Sequence, residues 1–191
     1  MFDSAARHLA LLATAPLLAL ATPAPAHADE IAPAPAAAVP IVRTAFGSAA
    51  EFLPTPAAES LPVPAEVLTA QVIELTNQQR NAYGCGELAV DQDLILASER
   101  QSWYMAETHN FSHLGWGGST FEARARVAGY LQPAGENIAW GYPTAQEVMD
   151  AWMASPGHRA NILNCAMRSI GAGVTYSSDG LPYYTQVFGW L

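Results

Sequence analysis

The chain contains no lysine: its eight basic residues are all arginine, set against 17 acidic residues for a formal net charge of −9. That balance lacks the basic footprint of a nucleic-acid-binding protein and offers no attraction to an anionic surface. No stretch reaches the ~20 continuous apolar residues of a membrane-spanning helix, and the longest apolar run, residues 9–22, is broken by Pro16. No GxSxG elbow, P-loop, GxGxxG or HExxH occurs, so the commonest hydrolase, nucleotide and metalloprotease signatures fail. Cys85 and Cys165 are the only cysteines.

The apolar run is preceded by Arg7 and His8 and followed by Ala26-His27-Ala28, a small-x-small cleavage pattern. This predicts a signal peptide over residues 1–28, cut after Ala28, and a secreted mature chain with no transmembrane helix. Cleavage takes away one acid, Asp3, and one base, Arg7, so the mature charge is unchanged. Residues 29–63 are Pro/Ala-rich with no period that could build a core, and read as a disordered linker or pro-region. Residues 64–191 suffice for one domain. In an exported chain an even cysteine pair predicts a disulfide. Closing the loop between Cys85 and Cys165 would stabilise by ~4.5 kcal/mol on the chain-entropy account, and a paired sulfur is no nucleophile.

Pro64 can open a helix carrying Val67, Leu68, Val72, Leu75 and Ala82, ending at Tyr83-Gly84. Asp91 is an N-cap for a helix from Gln92 to about Glu107. After the Gly-rich loop 108–120, Ser119 with Glu122 predicts a capping box for "FEARARVA", closed by Gly129, and Thr144 with Glu147 predicts another for "AQEVMDAWMA". Residues 170–177 and 182–191, joined at Ser178-Asp179-Gly180, read as a β-hairpin. Helices followed by strands imply an α+β fold in which helices cover a small antiparallel sheet.

Once the signal is removed three histidines remain: His109, His113 and His158. His109 and His113 have metal-pair spacing only if a helix continues through them, and the glycines that follow argue that it has ended. Glu136, between Gly135 and Asn137 and ahead of Ile138-Ala139-Trp140, reads as a buried carboxylate, which implies a ligand role or a structural hydrogen-bonding role. Asn137 fits a backbone-satisfying role. His158, after Pro156-Gly157, caps or packs a short helix, or takes part in chemistry; spacing alone leaves both open.

In order along the chain, "ELTNQQRNAYGCGELAVDQDLILASERQSWYMAETHNFSHLG", "STFEARARVAGY", "GENIAWG", "AQEVMDAWMASPGHRANILN" and "YYTQVFG" resemble the bacterial branch of the CAP superfamily, the cysteine-rich secretory, antigen-5 and pathogenesis-related proteins with SCP domains. The resemblance spans about residues 65–191. It implies a three-layer α-β-α sandwich, secretion, and a cleft holding two histidines and two acids that in many members binds a divalent metal, often zinc. It assigns His113 and Glu136 to two of those positions. At the other two this chain carries Ser155 and Tyr183, and His158 lies one helical turn beyond Ser155. The expected cleft is therefore His113, Glu136 and His158 as metal ligands for Zn2+, with Tyr183, Ser155 and Asn137 at its wall.

Three functions follow as expectations. The first is a non-enzymatic secreted binding module for a small apolar, peptide or cell-envelope ligand. The second is a zinc-assisted hydrolase of a peptide or ester with Glu136 as base. The third is a purely structural polar cluster.

Overall fold

A computed structural model describes residues 62–191 together with the backbone of Ala26–His27. The predicted signal peptide and linker otherwise lie outside the described residues.

Among the described residues five α-helices flank one sheet. Helix α1 (Ala65–Ala82) follows Pro64 and ends at Tyr83, just before Gly84, which takes a left-handed φ of 79°. A two-residue strand β2 (Ala89–Val90) leads into α2 (Gln92–Thr108), whose N-cap Asp91 accepts from the amides of Asp93 and Leu94. Helix α3 (Phe121–Ala128) is capped by Thr120, not Ser119. Ser119 closes the preceding turn instead, its carbonyl taken by the Gly115 amide and the Arg124 guanidinium. Helix α4 (Ala145–Ala154) opens on the predicted Thr144–Glu147 capping box, and α5 (Pro156–Ile162) begins immediately after Ser155.

The sheet runs β1-β3-β5-β4-β2, where β1 is Ala26–His27, β3 Pro133–Trp140, β4 Ser169–Tyr176 and β5 Pro182–Gly189. Its three long strands are antiparallel, as the hairpin predicts, while the short edges β1 and β2 pair parallel to β3 and β4. The sheet is thus mixed rather than purely antiparallel. Two-residue edges are too short for an alternating pattern to reveal in sequence.

The α-β-α layering follows from strand alternation. Ile170, Ala172, Val174, Tyr184 and Phe188 face the layer of α1, α4 and α5, where Leu68, Val72, Val148, Met149 and Trp152 complete the larger core. On the other face Val187 packs with Leu94, Ala97, Phe121 and Ala125 of α2 and α3. Helix α2 lies directly on β4: a Cβ on Gly171 would stand 2.1 Å from the Leu94 carbonyl carbon, and one on Gly173 2.5 Å from the Glu99 nitrogen. Ser98 and Ser102 use that approach, donating to the carbonyls of Gly171 and Gly173 at 3.1 and 2.8 Å.

The Cys85–Cys165 disulfide forms, with Cα atoms 4.9 Å apart. It ties the end of α1 to the segment after α5. Fully buried Arg80 reinforces this junction by donating to the carbonyls of Gly86, Ile162, Asn164 and Met167. Among the described residues no helix is long and apolar enough to cross a membrane.

Candidate functional site

Glu136 sits on β3 with no solvent exposure, and alternation turns its side chain, with those of Ile138 and Trp140, toward α2 and α3. His113, from the loop after α2, places Nδ1 2.9 Å from Glu136 Oε1. Arg124, on the buried face of α3, donates from Nη2 to Glu136 Oε2 at 2.5 Å. Its Nη1 also donates to the carbonyls of His113 and Ser119. One guanidinium therefore binds the carboxylate and the loop that presents the imidazole.

The structure brings His113 and Glu136, expected as metal ligands, into hydrogen-bond contact with one another and adds Arg124, which the motifs did not single out. Its signal was available: Arg124 lies three residues after Phe121 and one before Ala125, both buried, so helical periodicity places it, unlike Arg126, on the inward face.

His158 is fully buried on α5, with Nδ1 2.8 Å from Ser155 Oγ and its carbonyl accepting from Asn137 Nδ2 at 3.2 Å. Helix α5 packs on the opposite sheet face from the Glu136 carboxylate: Asn161 donates to Asn137 Oδ1 at 2.9 Å, and a Cβ on Gly135 would meet Asn161 Oδ1 at 2.9 Å. Asn137 also bonds Gln186, which in turn reaches Thr76 of α1. Asn137 is thus a strand residue buried in a polar network, not a loop residue.

Tyr183 is buried on β5 opposite Trp140, stacked on its ring with centroids 6.0 Å apart; Phe111 lies 6.4 Å from Trp140. These rings form an aromatic wall on the same face as Glu136. Burial raises the Tyr183 phenol above its usual range, with the charge of Asp179 adding to the effect. His109 closes α2 in a left-handed conformation (φ 53°) and is exposed.

A zinc site fits this donor set poorly. Among the described residues no group of three or more His, Cys, Asp or Glu side chains is arranged to hold a metal ion. Both Glu136 oxygens are engaged, one by a guanidinium that already supplies the positive charge a metal would bring, and His113 meets Glu136 through Nδ1.

The sequence pattern of the cysteine-rich secretory protein family, CAP, matches residues 73–188. An uncharacterised Bacillus subtilis (strain 168) protein, YkwD, is 36% identical over 131 residues, which are 68% of this chain and 50% of that protein. The crystal structure of an extracellular SCP-domain protein from Bacillus anthracis aligns with a TM-score of 0.59 at 28% identity, over 65% of this chain and 41% of that one. An outer surface protein from Borrelia burgdorferi shares the fold at a TM-score of 0.60 and 19% identity, over 66% of this chain and 95% of its own. This chain spans half the length of the curated Bacillus relative.

Proposed function

The chain belongs to the cysteine-rich secretory protein family, CAP, and from that premise we propose that it is a secreted, non-catalytic binding module whose cleft takes a small apolar or cell-envelope ligand. Export by a signal peptide cut after Ala28, with residues 29–63 as a tether, belongs to the same proposal. The disulfide and the extracellular Bacillus anthracis neighbour support secretion.

The observation that carries the non-catalytic reading is the occupancy of Glu136. A general base needs a carboxylate within reach of the proton it removes, and this one is sealed from solvent with one oxygen on His113 and the other on Arg124. Phe111, Trp140 and Tyr183 supply the apolar surface that a binding cleft requires.

The test is purification of the exported chain without added metal, followed by elemental analysis and mass spectrometry of co-purifying small molecules. The expected result is an apolar or envelope-derived molecule without stoichiometric zinc. Stoichiometric zinc lost in His113→Ala would restore the metal reading. Chelator-sensitive hydrolysis of a peptide or ester, lost in Glu136→Gln, would make the protein an enzyme.

The same closed network favours a second reading, in which the polar cluster only joins α3, the 108–120 loop and β3. Large stability losses in the alanine variants of His113, Arg124 and Glu136, with no molecule recovered, would select it.

A further inference from the structure

We propose that a groove between α2 and α3, separate from the cleft and independent of how the cleft is read, binds an amphipathic anion: a single hydrocarbon chain that carries a carboxylate or phosphate head. The groove holds about 340 Å3, within the ~300–1,000 Å3 typical of small-molecule sites. Its walls are Trp103 of α2, Trp116 of the Gly-rich loop, and Ala123 and Val127 of α3. Each indole is 52% exposed, and Val127 is 77% exposed. Large apolar side chains left in water and gathered around one concavity mark a binding surface.

The aromatic wall favours a flexible chain over a flat ring. The indole centroids are 5.9 Å apart with planes tilted by 45°, and Tyr104 packs edge-on against Trp116 at 5.1 Å. At that spacing the rings are already in contact with one another, and a tilted, touching pair leaves no parallel slot for a third ring. It leaves a continuous apolar surface along which methylenes can lie.

Charge selects the head group. Of the polar side chains that line the groove, Gln101 and Arg124 are buried and engaged elsewhere: Gln101 donates to the Ser112 carbonyl, and Arg124 serves Glu136 and the carbonyls of His113 and Ser119. Arg100 is the exposed cation of the lining. The ion pairs among the described residues join Glu136 to His113 and to Arg124, and Arg100 is in neither. The α2 positions three and four residues from it, Leu96, Ala97, Trp103 and Tyr104, carry no acid, and no acid lines the groove. In a chain of net charge −9 this guanidinium stands without a counter-charge beside an apolar wall. Leu96 and Trp103, both partly exposed, flank it on the same face of α2 at i, i+4 and i+7 spacing. An apolar body seated on the indoles lowers the dielectric around the guanidinium and strengthens its attraction for an oxyanion. A cationic head is repelled at the same place, a neutral chain leaves the charge unanswered, and an extended polyanion is opposed by the acidity of the whole chain.

Decanoate, decyl phosphate, 1-decanol and decyltrimethylammonium, each below its micelle concentration, are titrated into the full chain and read by saturation-transfer NMR of the methylenes and by tryptophan fluorescence. Wild type is compared with Trp103→Ala, Trp116→Ala, Arg100→Gln and Arg100→Glu, all changes at exposed side chains that leave the core intact. Arg126→Gln, at an exposed arginine of α3 outside the groove lining, and Trp140→Ala, in the cleft, are the controls. The expected result is saturable binding of at least one of the two anions, the tighter one identifying the head group. Binding should weaken ~tenfold or more in the two Trp variants and ~threefold or more in Arg100→Gln, and stay unchanged in both controls. Decyltrimethylammonium should bind Arg100→Glu more tightly than wild type. Absence of saturable binding of both anions, equal affinity in Trp116→Ala or Arg100→Gln, or 1-decanol binding as tightly as the anions would overturn the proposal. Sedimentation with phosphatidylglycerol vesicles without binding of either free anion would assign the surface to a bilayer and overturn it as well. Binding lost in Trp140→Ala but kept in Trp116→Ala would place the amphiphile in the cleft, overturning this proposal and leaving the cleft reading standing.

Discussion

Replacing Arg124 by Met removes the positive partner of a carboxylate that has no contact with water. The Arg124 and Glu136 side chains are 6% and 0% exposed and meet at 2.5 Å. Two unit charges ~4 Å apart attract by ~4 kcal/mol at an effective dielectric of ~20. Much of that attraction compensates their desolvation, so the pair adds little net stability over an apolar pair of the same shape. Removing only one partner is different. Arg124→Met leaves Glu136 facing His113 alone among its described side-chain partners and takes one donor from each of the carbonyls of His113 and Ser119, the latter keeping the Gly115 amide, for an expected loss of about 3–5 kcal/mol. Glu136→Gln keeps an acceptor for Arg124 and should cost less, about 1–3 kcal/mol.

The double variant is the discriminating measurement, because neither charge is then stranded. It should be destabilised by less than the sum of the singles, with a coupling of about 2–3 kcal/mol. Urea denaturation gives all four stabilities, read from midpoints at constant m. Additivity within ~0.5 kcal/mol would refute the reasoning, since it would mean that Arg124 and Glu136 do not stabilise one another in the folded chain.

Gly171→Ala should cost about 3 kcal/mol or more, because the new methyl meets the α2 backbone rather than a flexible side chain. Gly86→Ala, with nothing within 4 Å and no positive φ, is the control expected to stay within ~0.5 kcal/mol in the same urea series. The Cys85→Ser/Cys165→Ser double variant should lower stability by about 2–4.5 kcal/mol, read as the midpoint shift from the oxidised wild type. Burial raises the phenol pKa values of Tyr142, Tyr176, Tyr183 and Tyr184. Unfolded tyrosines ionise near pH ~10, so this contribution to stability is complete below pH ~10 and is lost as pH rises through the higher folded values. Circular dichroism across alkaline pH should show that decline, made shallower by Tyr184→Phe.

Helix boundaries were legible because their signals are local: Asp91 and the Thr144–Glu147 box each stand at the observed start, and Gly129 at the observed end. The pair His113–Glu136 was legible only through the resemblance, since the two residues are 23 apart and meet across a loop and a strand. Strand β3 was not legible. It is buried on both faces along nearly its whole length, so polar and apolar residues do not alternate, and its adjacent Glu136 and Asn137 find partners in opposite layers. The buried hydroxyls of α2, Ser98 and Ser102, were equally hidden: small hydroxyls look like a solvent face until Gly171 and Gly173 bring β4 carbonyls within reach.

The segment "SPGHRANIL" shows why a motif's spacing did not reveal its task. Trp152 Nε1 donates to the Ile138 carbonyl at 3.1 Å and Asn161 Nδ2 to the Glu136 carbonyl at 3.1 Å. Backbone groups of alternate strand residues point to the same side. Because the Gly141 amide bonds Pro182 next to β5, the even-numbered carbonyls of β3 point the other way, toward the side on which β1 pairs with Gly135 and Glu136. Trp152 and Asn161 bond two of these carbonyls beside that short pairing. One continuous helix could not do this. Residues nine apart lie on opposite helix faces and about 13.5 Å apart along the axis, whereas alternate strand carbonyls are separated by only about 6.8 Å. The break at Ser155-Pro156 bends the chain so that two helices deliver Trp152 and Asn161 to the same side of β3. His158 works at that bend, its ring against Ser155 Oγ and its carbonyl on Asn137. The Pro-Gly stop and the buried histidine therefore belong to one device, which holds the backbone of β3 at Glu136 and so sets where the carboxylate meets Arg124 and His113.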